Sequence, residues 1–183
     1  MIKVAKTAIE GVLIIEPQRF GDERGYFVES FSARDFRAAT GLDVEFVQDN
    51  ESLSRRGVLR GMHFQRSEWA QSKLVRVVRG RVMDVAVDIR RDSPTFGKYV
   101  AVELSGTNGR QLFIPKGFAH GFVTLENDTV FQYKCDAYYC PEAESGFAWD
   151  DSDVAIDWGI PREEIILSEK DKNRPKLCEL CEF

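Results

Sequence analysis

Residues 73–89, KLVRVVRGRVMDVAVDI, are typical of two β-strands joined by a turn. β-Branched residues are frequent on both sides of Gly80, and a Gly-Arg pair between two such runs predicts a tight hairpin. Along the first strand Lys73 shares one face with Val75 and Val77, because side chains alternate between the faces of a strand. A lysine on an apolar face needs a partner or a function, unless it lies at the strand end and reaches solvent.

Short segments of the same kind recur along the chain and are separated by turn residues. Besides these two, the predicted strands are 11–17, 26–31, 44–48, 58–64, 99–104, 111–114, 121–125, 129–135 and 146–149. Helix signals are limited to residues 32–40, between a serine cap and a glycine stop, and to a short stretch after Ser168. The pattern predicts an all-β fold, a sandwich or a jelly-roll barrel with short peripheral helices. The lack of long helices between the strands argues against a parallel α/β fold.

Length, charge and cysteine content limit the class of protein. The chain has 183 residues, typical of a single domain, here with a C-terminal tail from about residue 172. Its 25 basic and 30 acidic residues give a net charge of −5, which argues against nucleic-acid and membrane partners. The N-terminal residues lack the apolar core of a signal peptide, so we expect a cytoplasmic protein whose four cysteines are free thiols.

Histidines are scarce, and the chain contains only two, His63 and His120. That number excludes most of the common metal sites, which use several histidines with a carboxylate. Cys178 and Cys181 form a lone CxxC pair, and no second pair at the spacing of a zinc site accompanies it. We therefore predict no metal site.

His63 is the first candidate for chemistry, and it lies in a predicted strand close to Arg60. Strict alternation would put these two side chains on opposite faces. Gly61 lies between them and would permit a β-bulge that turns both side chains inward. The alternative is a structural histidine held by a hydrogen bond.

Tyr133 and two aspartates are the next candidates. Tyr133 lies on an apolar face with Phe131 and Cys135, so its hydroxyl needs either a hydrogen-bond partner or an opening to solvent. Asp84 and Asp88 alternate with the apolar residues of their strand, and we expect both carboxylates to face solvent.

A set of polar and aromatic residues lies at predicted strand ends and turns. Taken singly, Arg24, Glu29, Gln48 and Asn50 are each typical of a turn. Together with Arg60 and Lys73, however, the set would supply cations and amide donors for a phosphate. The Tyr138-Tyr139 pair follows a strand and is either a stacking platform or a loop anchor.

Several of these segments together resemble one known family, the dTDP-4-dehydrorhamnose 3,5-epimerases. The resemblance extends from about residue 9 to residue 171, and its main motifs are FGDERGYF (20–27), FVQDN (46–50), GVLRGMHFQ (57–65), KLVRVVRG (73–80) and IPKGFAHGF (114–122). It implies a cupin-type jelly roll, a homodimer with exchanged N-terminal strands, and no cofactor. Metal-binding cupins carry a His-x-His pair where this chain has Gly61-Met62-His63.

The resemblance also implies a reaction and a substrate. The substrate would be dTDP-4-dehydro-6-deoxy-D-glucose, whose C3 and C5 hydrogens are both α to the C4 ketone. Proton removal through an enolate, with return to the opposite face, would give dTDP-4-dehydro-L-rhamnose, a cell-surface sugar precursor. Alternatives are a C3- or C5-only epimerase for a related sugar, a metal-dependent cupin oxygenase, and a non-catalytic carbohydrate-binding barrel.

The resemblance implies a role for each matching residue. His63 would be the base, oriented by Asp171 or else by Asp84, with Lys73 at the enolate oxygen and Tyr133 as the acid. The implied binding residues are Arg24, Gln48, Asn50 and Arg60 for the diphosphate and sugar, Lys170 near the diphosphate, Glu29 and Glu144 near the thymidine, Tyr139 stacked on thymine, His120 at the sugar, and Phe27.

Overall fold

A computed structural model describes residues 2–180 of the chain, and these residues are mostly β-structure. The strands are β1 (Ile2–Lys6), β2 (Leu13–Pro17), β3 (Arg19–Asp22), β4 (Gly25–Val28), β5 (Gln48–Ser54), β6 (Leu59–Gln65), β7 (Lys73–Arg79), β8 (Arg81–Asp88), β9 (Tyr99–Ser105), β10 (Gln111–Ile114), β11 (Phe118–Thr124), β12 (Thr129–Cys135) and β13 (Glu144–Gly146). The α-helices are α1 (Ala33–Thr40) and α2 (Glu169–Lys172). Single 3₁₀ turns occur at Ser67–Trp69, Pro141–Ala143, Arg162–Glu164 and Leu177–Glu179.

The strands form two antiparallel sheets that face each other. One sheet has the order β1-β2-β10-β7-β12-β5 and the other β13-β6-β11-β8-β9, while β3 and β4 form a separate hairpin. The predicted all-β jelly roll with short peripheral helices is therefore confirmed. No helix in residues 2–180 is long and apolar enough to cross a membrane.

The inner faces of the two sheets enclose the main core. Val75 and Val77 of β7 pack there with Phe122 of β11 and Phe131 of β12, whose rings stack with centroids 4.0 Å apart. Lys73 begins the same inward row as the two valines, as the alternation predicts. The barrel interior is thus apolar along most of its length and becomes polar where this row ends.

Two further apolar clusters cover the outer faces of the sheets. Helix α1 lies on the six-stranded sheet through Phe36, and it begins after Ser32, whose Oγ accepts a hydrogen bond from the Asp35 N–H, as the predicted cap requires. The segment after β13 covers the five-stranded sheet, where Phe147, Trp158 and Leu177 are buried. The C-terminal segment therefore packs on the barrel at least as far as the described residues extend.

Gly80 does not form the predicted hairpin. The strands on either side, β7 and β8, lie in different sheets, so the chain crosses from one sheet to the other at this point. Gly80 has φ of +82°, and an added Cβ would lie 2.2 Å from Oγ1 of Thr129. A Gly-Arg pair between two strands is compatible with a sheet-to-sheet corner as well as with a hairpin, and the local sequence does not distinguish them.

Other strand predictions were also wrong in part. Residues 44–47 are not a strand, because Val44 and Phe46 pack against the α1 cluster, and the strand begins at Gln48 instead. Strands β1 and β3 were missed, and the strand predicted at 146–149 lies at 144–146. The two aspartates predicted to face solvent, Asp84 and Asp88, are completely buried.

We expect Phe36→Ala to lower the free energy of unfolding by about 3–5 kcal/mol, because it empties the centre of the α1 cluster. Urea unfolding followed by circular dichroism measures this change. Leu53→Ala is the matched control: Leu53 is 61% exposed, and its truncation should change stability by less than about 0.5 kcal/mol. Equal effects of the two substitutions would contradict the placement of α1 on the sheet.

Candidate active site

A cavity of about 590 Å³ opens where the inward rows of the barrel become polar. Strands of both sheets line it, and the C-terminal segment around α2 closes one side. Among its lining residues are Asn50, Ser52, Arg60, His63, Lys73, His120, Phe122, Tyr133, Ser168, Lys170 and Asp171. Eight residues with predicted roles therefore meet in one space, although they come from positions far apart in the chain.

Strand β6 turns both Arg60 and His63 into this cavity. The β6–β11 register shifts between the His120–His63 and Phe122–Arg60 pairs, which is the predicted irregularity at Gly61. Gly61 has φ of +149°, and an added Cβ would lie 2.6 Å from Cα of Gly121 on β11. The two strands can approach this closely only because both positions are glycine.

His63 contacts Asp171 of α2. The distance between His63 Nε2 and Asp171 Oδ1 is 2.5 Å, and the Ser168 hydroxyl donates to the other carboxylate oxygen at 2.9 Å. Burial raises the pKa of the Asp171 carboxyl, but the hydrogen bonds and charges of His63, Ser168 and Arg174 together outweigh burial and bring the pKa below its ordinary value. Asp171 is therefore ionised at neutral pH and accepts the Nε2 proton of the imidazole.

Tyr133 and Lys73 lie on adjacent strands of the opposite sheet. The Lys73 Nζ is 5.8 Å from the centre of the Tyr133 ring. Burial raises the pKa of the Tyr133 phenol and lowers the pKa of the Lys73 ammonium, because both charged forms lose hydration. The cavity therefore holds a protonated phenol on one wall and an imidazole–carboxylate pair on another.

The rim of the cavity is built around Glu144. Its carboxylate contacts Lys170 Nζ at 2.6 Å, Arg174 at 2.9 Å and the Tyr139 hydroxyl at 2.5 Å. Burial raises the pKa of Glu144, but the hydrogen bonds from Lys170 and Tyr139 outweigh it and lower the pKa to about 2. Gln48 joins the rim to the wall, because it accepts from the Tyr139 backbone N–H and donates to Asn50.

Three predicted binding residues do not reach this cavity within the chain. Arg24 and Phe27 belong to the β3–β4 hairpin, where Arg24 pairs with Asp22 and Phe27 is 68% exposed. Glu29 follows the hairpin and is also exposed. The single chain thus leaves this part of the predicted site separate from His63.

The structure also separates the two aspartates considered for His63. Asp84 contacts His120, with Oδ2 at 2.9 Å from Nε2, and does not contact His63.

Two residues of the site were not predicted in the roles they have. Arg174 contacts Glu144, but an arginine in a polar tail carries no sequence signal of its own. Ser168 was predicted only as a helix cap, and its second contact to Asp171 depends on the fold.

The cysteines and carboxylates do not assemble into a metal cluster in the part of the chain that is described. Cys135, Cys140 and Cys178 are free thiols there. The second cysteine of the CxxC pair, Cys181, lies outside the described residues.

Comparison with known proteins agrees with this geometry. Residues 6–179 match the family model described as dTDP-4-dehydrorhamnose 3,5-epimerase. The chain belongs to this family. A curated dTDP-4-dehydrorhamnose 3,5-epimerase from Methanothermobacter thermautotrophicus is 53% identical over 95% of this chain and 94% of its own length. The match extends to residue 179, beyond the predicted limit near residue 171.

Two solved structures show what the barrel is similar to. A 3,5-epimerase from Legionella pneumophila in complex with dTDP-4-keto-L-rhamnose superposes with a TM-score of 0.95, at 49% identity over 98% of this chain and 95% of that chain. A 3′-monoepimerase from Streptomyces bikiniensis in complex with dTDP-quinovose gives 0.87, at 35% identity over 94% and 86%. The predicted cupin-type fold and the prediction of an isomerase are thereby confirmed.

We expect Glu144→Gln to destabilise the protein by about 2–3 kcal/mol at pH 7, because Arg174 and Lys170 lose their carboxylate. The folded pKa of Glu144 is about 2 against an ordinary 4.5, so its contribution is present above pH 4.5 and is lost as pH falls toward 2. Urea unfolding at several pH values should therefore show wild type and variant converging in acid. Glu142→Gln, at an exposed carboxylate nearby, is the control, and a pH-independent gap for Glu144→Gln would contradict this assignment.

Proposed function

We propose that this chain inverts C3 and C5 of dTDP-4-dehydro-6-deoxy-D-glucose to give dTDP-4-dehydro-L-rhamnose, with His63 as the base and Tyr133 as the acid. The observation that carries the proposal is the position of the His63–Asp171 pair and Tyr133 on the walls of one cavity. Both inverted carbons are α to the C4 ketone, so one base and one acid serve both steps through an enolate.

The contact to Asp171 supports His63 as the base. An ionised carboxylate accepts the Nε2 proton, so the lone pair of the neutral imidazole is on Nδ1. When Nδ1 takes a proton from the substrate carbon, the same carboxylate stabilises the imidazolium that forms. Asp171 thereby sets both the tautomer and the charge balance of the base.

Tyr133 and Lys73 complete the proposed chemistry. The raised pKa of Tyr133 keeps the phenol protonated at neutral pH, so it holds a proton that it can return to the enolate carbon. Lys73 presents its ammonium to the same cavity and would stabilise the negative charge that develops on O4. After each inversion the base has gained a proton and the acid has lost one, and exchange with water restores both.

The remaining residues fit a nucleotide diphosphate. Arg60 and Lys170 line the cavity as cations for phosphate oxygens, and His120 and Asn50 lie where a sugar would contact them. Tyr139 is half-exposed at the rim, where its ring would stack on thymine, and Glu144 holds its hydroxyl.

We also propose a homodimer in which the β3–β4 hairpin of each chain completes the cavity of the other. The hairpin exposes Phe20, Tyr26 and Phe27, and aromatic side chains are rarely left uncovered as a group. Arg24 would then join the diphosphate site, with Glu29 close to the nucleoside. A two-fold dimer would give each cavity one such hairpin.

A cytoplasmic location is consistent with the described cysteines. Cys135, Cys140 and Cys178 are unpaired thiols, although Cys140 and Cys178 are at least partly accessible. Thiols persist in this form in a reducing compartment, and a nucleotide-sugar substrate is expected in the same one. We therefore propose that the enzyme acts in the cytoplasm.

Incubation with dTDP-4-dehydro-6-deoxyglucose in D₂O tests the chemistry directly. We expect wild type to incorporate deuterium at both C3 and C5, read by NMR, and His63→Ala and Tyr133→Phe to lose epimerisation. Asp171→Asn should lower the rate roughly 10²–10⁴-fold, because the imidazole loses its tautomer and counter-charge. Asp153→Asn, at an exposed aspartate in the same C-terminal segment, is the matched control and should keep the wild-type rate.

The pattern of exchange separates the candidate functions. Similarity to a monoepimerase keeps single-site inversion as a second candidate, and deuterium at one carbon only would support it. No exchange with wild type, or full exchange with His63→Ala, would contradict the proposed function.

Mixing two inactive variants tests the exchanged hairpin. Arg24→Ala removes a residue of the hairpin and His63→Ala removes the base, so each homodimer should be nearly inactive. If the hairpin acts on the partner, an equimolar mixture after subunit exchange should regain about a quarter of wild-type activity, because heterodimers contain one intact cavity. A mixture that stays inactive after confirmed exchange would show that the hairpin does not complete the other chain's cavity.

A further inference from the structure

One carboxylate lies inside the barrel where an apolar residue is expected. Asp84 is on the inner face of β8, between Val82 and Ala86 of the main core, and it is completely buried. Its Oδ1 has no hydrogen-bond partner. A buried charge with an unsatisfied oxygen is costly, so a carboxylate here requires a compensating cation or a function.

Asp84 holds His120 in place. The distance from Asp84 Oδ2 to His120 Nε2 is 2.9 Å, and the His120 ring is nearly parallel to that of Phe131. Within the β6–β11 pairing, His120 lies directly opposite His63. The two histidines of the chain are therefore neighbours on one sheet, and each has its own aspartate.

Asp84 contacts His120, and His120 and Lys73 line the same cavity, so the buried carboxylate lies near the Lys73 ammonium. Burial is the largest influence on the pKa of Lys73 and lowers it, whereas Cys135, Asp84 and Glu144 raise it. Burial raises the pKa of the Cys135 thiol to about 11, so that thiol carries no charge at neutral pH. Glu144 is already paired with two cations, Lys170 and Arg174. Lys73 forms no ion pair within residues 2–180. Of the groups that act on its charge, Asp84 is thus the carboxylate that is not already paired with another lysine or arginine.

We propose that Asp84 is a positioning residue, the buried counter-ion that fixes the His120 ring and holds positive charge on Lys73 beneath the substrate. Asp84 does not line the cavity, so it acts through these two residues and not by contact with the sugar. The inference rests on the proposed function, since it is the enolate oxygen that Lys73 and His120 would face.

Other charged groups share this environment. The titratable and charged groups that line the cavity together with His120 are Glu51 on β5, Arg60 and His63 on β6, Lys73 on β7, Tyr133 on β12, and Lys170 and Asp171 around α2, and Cys135 and Glu144 also act on the charge of Lys73. Removal of Asp84's charge leaves the net charge of this set more positive, so it disfavours the protonated form of Lys73.

Steady-state kinetics of Asp84→Asn over a range of pH tests the proposal. We expect kcat to fall about 10–100-fold with KM changed less than about threefold, because stabilisation of the enolate is lost. The basic limb of the kcat profile should move to lower pH, because the pKa of Lys73 falls when its counter-ion is neutralised.

Asp88→Asn is the matched control. Asp88 is equally buried on the same strand, but it contacts Arg90, Ser93 and Thr95 at the far end. We expect this variant to melt at a lower temperature with the wild-type pH profile. An Asp84→Asn profile that matches Asp88→Asn would overturn the proposal, because the carboxylate would then be only structural.

A second measurement on wild type keeps the proposal testable if Asp84→Asn fails to fold. Nitrogen-15 NMR of labelled histidine, assigned with His63→Asn, should show His120 protonated at Nε2. A His120 protonated only at Nδ1 would overturn the proposal. Failure of the proposed function would appear instead as wild type without deuterium exchange, whatever the state of His120.

Discussion

The contact between His63 and Asp171 joins two parts of the molecule that are 108 residues apart in the chain. His63 belongs to the barrel, whereas Asp171 belongs to a four-residue helix too short to be stable alone. The helix exists because the C-terminal segment is held down on both sides. Glu144 contacts Lys170 and Arg174, and Asp151 accepts from the backbone N–H of Leu177.

This arrangement links the folding of the C-terminal segment to the environment of His63, the proposed base. If the C-terminal segment detached, His63 would lose its carboxylate and the cavity would lose one wall. The side chains of Glu144 and Arg174 are mostly buried, so their ion pair is costly to break by removal of one partner. The segment also buries Phe147, Trp158 and Leu177 against the outer face of the five-stranded sheet. Apolar burial therefore positions Asp171 from the side of the sheet opposite to the cavity.

Alternation along single strands was sufficient to predict much of the cavity. Lys73 and Tyr133 begin or continue inward apolar rows, so their direction follows from Val75, Val77 and Phe131. The bulge at Gly61 followed from the same rule, because only an irregularity could turn both neighbours inward. The directions of these side chains depend on local strand geometry, which a short stretch of sequence is sufficient to predict.

The errors arose where tertiary structure determines a residue's environment. Strand β5 has the sequence QDNESLS, and its inner face lines the polar cavity. It therefore lacks the row of apolar residues by which strands are predicted from sequence. Asp84 alternates as a surface residue does, and its burial follows from a second sheet that the strand itself does not encode. The contact of Arg174 with Glu144 likewise depends on the path of the C-terminal segment.

The two histidines show how environment can divide one chemical group into two roles. Both place Nε2 within hydrogen-bond distance of an aspartate, but the His63 side chain is 32% exposed and that of His120 is 9% exposed. Asp171 is satisfied by Ser168 as well as by His63, so His63 can gain and lose a proton with little cost to its partner. Asp84 has no second donor within hydrogen-bond distance, and its remaining oxygen faces the barrel interior. The same pair of side chains therefore suits proton transfer where the imidazole is accessible and a fixed charge where it is buried.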